Sequence, residues 1–392
     1  MKLSRRASEL KESATLAVSA KAAQLAGQGI DVVSFGAGEP DFDTPEHIKQ
    51  AGWAALEGGE TKYAKPASGI RPLKQAVADK FKRENGLEYD ANSQVLVTVG
   101  GKEALFLAFS AIIDEGDEVI LPAPFWVSYP EQAALNGGRS VVVQGEVSNS
   151  YKITPDQLEA AITDRTKAFV FNSPNNPGGF MYEPDEVEGL AEVLEGRDIV
   201  VLSDEMYDRI VFGGREFKSW ASVSEHAYEN TITFNAGSKT YSMTGWRIGY
   251  AAGPADVIKA MSNLQSQTTS GTATFVQHAL ATALSGDQSE VETMRQAFEE
   301  RGAHICRRLN EISGIVCPEP AGAFYVFPDV SECYDKLEVS GSIEFSSRLL
   351  EEAHVAVVPG EASGMDDCVR LSFATSMENI NRGVDRIADF LK

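Results

Sequence analysis

At 392 residues, 43% hydrophobic and 23% charged, the chain exceeds one ordinary core, so two domains are the default expectation. Its 57 acidic and 35 basic residues leave a formal net charge of -22, a surface that repels nucleic-acid phosphates and anionic membranes and argues against a DNA-binding role. No stretch approaches the roughly 20 apolar residues that a membrane helix requires.

The start, Met1 to Arg6, is basic but no apolar core follows it. A secretory signal is therefore not expected, and a cytoplasmic location is. Residues 15–28 read as a helix outside the pattern that follows, so residues 1–45 are taken as an N-terminal arm and helix packing with a C-terminal domain. From about residue 93 short apolar runs alternate with helical patterns. Strands are predicted at 94–99, 118–121, 141–144, 168–172, 199–203, 232–234 and 248–251. A helix over 101–113 begins at a double glycine. Thr154-Pro155-Asp156-Gln157 marks another helix start, with a capping threonine, proline at the first position and glutamine at the third. Residues 183–194 form a further amphipathic helix. Continuous apolar strands separated by helices predict an α/β domain with a mostly parallel, doubly wound sheet, spanning 46–289.

After about residue 290 the pattern changes. A long charged helix over 291–312 leads to an apolar run at 323–327 and a helix around 343–353. Short strands at 355–358 and 369–373 and a final helix over 379–391 complete a smaller α+β domain, 290–392. Cys306, Cys317, Cys333 and Cys368 lie here with neither C-x-x-C nor metal-ligand spacing, as expected for buried free thiols in a reducing compartment.

Open α/β sheets bind ligands at the carboxyl ends of their strands. Four polar clusters follow predicted strands directly: Gly100-Gly101-Lys102, Asn175-Asn176-Pro177, Ser203-Asp204-Glu205 and Ser238-Lys239. The first passes from strand to helix, where glycines allow close approach and unpaired N–H groups face an anion; many purely structural turns look the same. It is not a Walker loop, since Leu96 stands where a glycine is needed and Glu103 follows the lysine. Asn175-Asn176-Pro177-Gly178 is a turn by composition, with Asn176 a candidate donor to a cofactor oxygen. Asp204 ends an apolar strand, where it either caps a helix or pairs a protonated ring nitrogen, and Tyr207 stands three residues on. Lys239, beside Ser238 and eight positions before Arg247, suits a Schiff-base lysine whose neighbours hold a phosphate. Trp126 after another strand is either core or a ring that stacks on a ligand. Arg370 interrupts an apolar strand and needs a carboxylate, supplied by the protein or by a substrate.

These motifs together resemble the class I aminotransferases, the pyridoxal-phosphate enzymes of fold type I. Gly36-Ala37-Gly38-Glu39-Pro40-Asp41-Phe42, Lys62-Tyr63, Gly100-Gly101-Lys102, Asn175-Asn176-Pro177-Gly178, Ser203-Asp204-Glu205-Met206-Tyr207, Ser238-Lys239 through Arg247 and Val369-Arg370-Leu371-Ser372 carry the likeness across essentially the whole chain. The bacterial-type aspartate aminotransferase subgroup is most similar, its N-terminus resembling Lys11-Glu12-Ser13-Ala14-Thr15. The resemblance implies that Lys239 binds pyridoxal 5'-phosphate covalently, that Asp204 holds the ring-nitrogen proton, and that Tyr207 and Asn176 bond the ring oxygen while Trp126 stacks. It further implies that Gly101, Lys102, Ser238 and Arg247 surround the phosphate, with Tyr63 reaching it from the second subunit of a homodimer. Arg370, Asn176, Trp126 and the Gly38 backbone would hold the substrate α-carboxylate, Thr15 and Lys102 the distal carboxylate, and Lys11 matches a position linked to prephenate. Ala236 stands where some relatives carry a further phosphate-binding serine.

The activity so implied is ping-pong transamination between L-aspartate and 2-oxoglutarate. The alternatives are glutamate- or aspartate-prephenate transamination toward arogenate, or both in one protein. A ligand-sensing regulator is a different class of reading, but it needs a basic DNA-binding domain for which the chain has neither length nor charge.

Overall fold

A computed structural model describes residues 3–4, 7–8, 10 and 14–392, with the backbone alone at 14–16. In chain order the strands are β1 (Val33–Ser34), β2 (Val95–Thr98), β3 (Glu118–Ala123), β4 (Arg139–Gln144), β5 (Thr166–Asn172), β6 (Val200–Asp204), β7 (Thr231–Ala236), β8 (Gly249–Ala252), β9 (Tyr325–Val326), β10 (Val355–Ala356), β11 (Val358–Pro359) and β12 (Val369–Ser372). Seven of them form the central sheet in the order β2-β8-β7-β6-β5-β3-β4. Neighbours from β4 through β3, β5 and β6 to β7 run parallel. The apolar runs read from the sequence are these strands, and the inner ones are buried along nearly all their length because helices cover both faces. The mostly parallel, doubly wound α/β architecture is that of fold type I.

Strand β8 departs from the parallel pattern, running antiparallel to both β7 and β2. A parallel return from β7 would need a long crossover, whereas residues between them hold only the single-turn helix Gly237–Thr240 and the short turn Thr244–Trp246. The reversal matters for the site. Gly249, which opens β8, pairs with Ala236 at the end of β7 and with Thr98 at the end of β2. Arg247 is thereby delivered to the same sheet edge as Ser238, Lys239 and the Gly100–Gly101 turn.

The helices Glu46–Glu57, Ala255–Thr268 and Thr274–Ser285 were not anticipated. None of the three carries a side-chain capping bond at its start. The helix Pro155–Ala161 carries the full capping box expected at Thr154 and Gln157.

Beyond residue 290, β11, β12 and β9 form a small antiparallel sheet, and β1 adds in parallel to β10. The predicted strand at 355–358 is therefore two short strands that serve different sheets, divided at Val357. Phe35 N donates to Ala356 O at 2.8 Å and Ser372 N donates to Phe35 O at 2.8 Å. The helix Ala14–Gly27 lies against the same strands, with Ala22 packed beside Leu350 and Ala356. All four cysteines are buried free thiols.

Candidate active site

The carboxyl ends of β2, β5, β6 and β7 and the start of β8 open onto one cleft of about 500 Å³. Register fixes this convergence, since Asn172 at the end of β5 pairs with Asp204 at the end of β6. Lys239 sits on the helix turn that follows β7, and its Nζ donates to the Gly38 carbonyl. The amine also lies 5.6 Å from the Phe324 ring centroid. Burial, then the charge of Arg370, lowers the Lys239 ammonium to about 8, against the opposing pull of Glu39 and Asp204. A lysine so placed gives up its proton more readily than an exposed one, and the neutral amine is the form that attacks a carbonyl.

Asp204 is 5% exposed. One carboxylate oxygen accepts from Tyr129 Oη at 2.6 Å and the other from Met206 N at 3.3 Å. Burial raises its pKa to about 6, and those two hydrogen bonds hold it from rising further. No helix begins here, as residues 206–209 form a turn, so the capping alternative does not apply. Among the described residues no cation pairs with this carboxylate, which suits it to a cationic group on a ligand. Tyr207, also buried, places its hydroxyl 3.0 Å from that of Tyr325.

Arg370 enters from β12. Its Nη1 donates to Asn176 Oδ1 at 3.2 Å and its Nη2 to Gly36 O at 2.8 Å, while Nε has no acceptor. The guanidinium carbon lies 4.8 Å from the Tyr325 ring centroid, and the residue is 5% exposed. Among the described residues no carboxylate pairs with it, so the protein-supplied partner left open by the sequence is not found. A buried, uncompensated guanidinium is a ready clasp for a carboxylate brought from outside.

At the other end of the cleft the backbone is close-packed. Gly100 has φ +77°, and a Cβ there would come within 2.5 Å of Arg247 Nη2. A Cβ on Gly101 would fall 1.9 Å from Met206 Cε. The N-terminus of the helix Gly101–Ile112, Arg247 and Lys102 therefore meet at one place, with Ser238 also lining the cleft. Burial and the nearby Arg247 both push Lys102 below its ordinary value, a crowding of positive charge that a phosphate would relieve. The Lys102 amine lies 4.9 Å from the Trp126 ring centroid. An anion fits this end, a cationic ring atom fits Asp204, and a carbonyl between them would face Lys239. Among the described residues no His, Cys, Asp and Glu group is placed to hold a metal ion.

Most residues expected at the site thus share the cleft: Gly38, Gly101, Lys102, Trp126, Asn176, Asp204, Tyr207, Ser238, Lys239, Arg247 and Arg370. Tyr63 does not, being 83% exposed and outside the cleft of its own chain. Lys11 lies outside the described residues. Thr15 is described by its backbone, in the helix Ala14–Gly27. Sequence reasoning missed Tyr129, Tyr325 and Ser19, which also line the cleft, and Glu39, whose Oε2 accepts from Thr244 Oγ1 at 2.8 Å at the rim. Ser19 was within reach of a sequence argument, as it stands one helical turn beyond Thr15.

The family model for aminotransferases of class I and II matches residues 30–387. The aspartate aminotransferase of Bacillus subtilis (strain 168) is 47% identical over 392 residues, covering 100% of this chain and 99% of that protein. The aspartate/prephenate aminotransferase of Cereibacter sphaeroides is 48% identical, covering 97% of this chain and 96% of that protein. The solved structure of aspartate aminotransferase from Thermus thermophilus with maleate superposes with a TM-score of 0.94 at 45% identity, covering 99% of each chain.

Proposed function

Because the chain belongs to the class I and II aminotransferase family, we propose that it moves an amino group between L-aspartate and 2-oxoglutarate, giving oxaloacetate and L-glutamate, with pyridoxal 5'-phosphate as cofactor. The observation that carries this reading is Arg370, a buried guanidinium with no carboxylate of its own among the described residues, in the same cleft as the Lys239 amine.

When bound, pyridoxal phosphate supplies an aldehyde for an amine and a conjugated ring that accepts electrons from the substrate Cα. Lys239 would hold the aldehyde, and its amine, when free, would carry the proton from the substrate Cα and return it. Asp204, whose ionised form the Tyr129 hydrogen bond favours, would hold the proton on the ring nitrogen. Tyr207 and Asn176 would bond the ring oxygen, and Trp126 would stack on the ring. Gly101, Lys102, Ser238 and Arg247 would bind the phosphate. Arg370, with Asn176, Trp126 and the Gly38 backbone, grips the α-carboxylate and sets which Cα bond breaks. Lys102 and Thr15 read the distal carboxylate, which agrees with the dicarboxylate maleate named for the Thermus structure.

The exposed Tyr63 supports a homodimer in which it reaches the partner's phosphate site. Residues 46–289 are the cofactor-binding domain, 290–392 the small domain, and 1–45 an arm with its helix beside the small domain. The buried free thiols fit the cytoplasm. Relatives named aspartate/prephenate aminotransferase support prephenate as a second acceptor, with Lys11 contributing. The test is spectroscopic. Aspartate, glutamate, arogenate and phenylalanine are added singly to the cofactor-loaded protein, and the visible band is followed. Aspartate and glutamate should bleach it at the lowest concentrations; if no amino acid shifts it, the activity is wrong.

A further inference from the structure

The segment Asp204-Glu205-Met206-Tyr207-Asp208 has two sides. Asp204, Met206 and Tyr207 line the cleft, whereas Glu205 and Asp208 turn away from it into a buried polar cluster. Lys80, 3% exposed, ends the helix Arg71–Lys80 and pairs its amine with Asp208 Oδ2. The same amine donates to Asn85 Oδ1 at 2.9 Å, and Asn85 Nδ2 donates to Glu205 Oε2 at 3.3 Å. Glu205 Oε1 accepts from Ser203 Oγ at 3.0 Å and Ser219 Oγ at 2.6 Å.

A single widened π-helical turn, Phe81–Asn85, makes this connection possible, since it brings Asn85 beneath the residue five positions earlier. Such turns cost stability and tend to persist at functional positions. The neighbouring Glu84 lies 3.8 Å from Lys80 but has Arg83 and Arg209 at 2.7 and 2.9 Å. Burial raises Glu205 to about 7, opposed by Ser219 and Lys80. Two buried carboxylates on the back of a turn thus depend on one lysine, while the front of that turn carries Asp204 and Tyr207.

We propose that Lys80 is a positioning residue for catalysis: by holding Asp208 and, through Asn85, Glu205, it fixes where Asp204 and Tyr207 stand in the cleft. The inference rests on the transaminase reading for those two residues. It is tested with the cofactor-loaded full chain as wild type, Lys80→Met, Asp208→Asn and the double variant. The readouts are melting temperature, the pH midpoint of the bound cofactor's visible band, and the rate and half-saturation for aspartate in a single half-reaction. Lys80→Met should lower the half-reaction rate on the order of tenfold, because small misplacement of reacting groups is costly, with little change in half-saturation. Its spectral midpoint should move as well. In the double variant, where Asp208 no longer carries a charge to be left without Lys80, the melting temperature should recover at least in part while rate and midpoint stay displaced.

A Lys80→Met protein with wild-type rate and midpoint overturns the proposal. So does a double variant in which rate and midpoint recover together with melting temperature, because the cluster then serves stability alone. If Lys80→Met does not fold, the double variant decides by the same two readouts. A wild-type protein that takes up no cofactor overturns the functional reading and this inference together; altered variants alone bear on this inference.

Discussion

Replacing Asp204 by Asn in the ligand-free protein removes one titration and keeps the acceptor that Tyr129 needs. Burial raises the folded-state carboxyl from its ordinary 3.8 to about 6. The native state therefore retains a proton that the unfolded chain has already released across that window. Stability due to this group is greatest below the unfolded value, falls as pH rises through the interval, and stays low above the folded value. The gap between 3.8 and about 6 corresponds to about 3 kcal/mol. Urea unfolding of wild type and Asp204→Asn at matched pH values from about 4 to 8 measures it, since other groups cancel in the difference. Relative to the variant, wild type should lose about 2 kcal/mol of this between about pH 4 and pH 6, with only a few tenths more beyond, the remainder lying below pH 4. Adding pyridoxal phosphate at pH 8 should reverse the order, because a cationic ring nitrogen then pairs with the carboxylate. A flat difference, or wild type gaining stability with pH, would refute the placement of Asp204 as a buried carboxyl without a cation.

Arg370→Leu removes two charge-assisted bonds to an α-carboxylate, so kcat/KM should fall about 10²- to 10⁴-fold for every amino donor; a loss confined to dicarboxylates contradicts this role. Lys102→Ser should raise KM for aspartate about 10- to 100-fold while affecting phenylalanine far less, as steady-state kinetics with both donors will show. The uptake of pyridoxal phosphate by ligand-free protein should accelerate with pH to a plateau whose midpoint is about 8, because the neutral Lys239 amine reacts. In Arg370→Leu that midpoint should move upward, since a positive charge opposing protonation is gone.

The parts of the site that sequence revealed are those carried at strand ends. Asn176, Asp204 and Lys239 each follow an apolar run, and parallel pairing of β5, β6 and β7 brings successive ends to one edge. Arg247 needed more, because its place depends on β8 running backwards, which nothing in its own apolar run records. Tyr129 and Tyr325 were invisible for a different reason. They meet Asp204 and Tyr207 from 75 and 118 residues away in the chain, and each alone reads as an ordinary core tyrosine. Arg370 could be recognised as a buried cation in an apolar strand, but that it lacks a protein carboxylate appeared only with its neighbours in place. Lys80 was overlooked on the same principle. A lysine on a charged helix reads as solvent-facing, and its burial arises only where the helix meets the 204–208 turn.

The covalent attachment itself can be measured directly. Loaded native protein is reduced with borohydride, digested, and the phosphopyridoxyl-bearing peptide is sequenced by mass spectrometry. A single label on Lys239, one per chain, is the predicted result. Label on Lys102 or any other lysine, or protein that cannot be loaded with the cofactor, contradicts the account at its base.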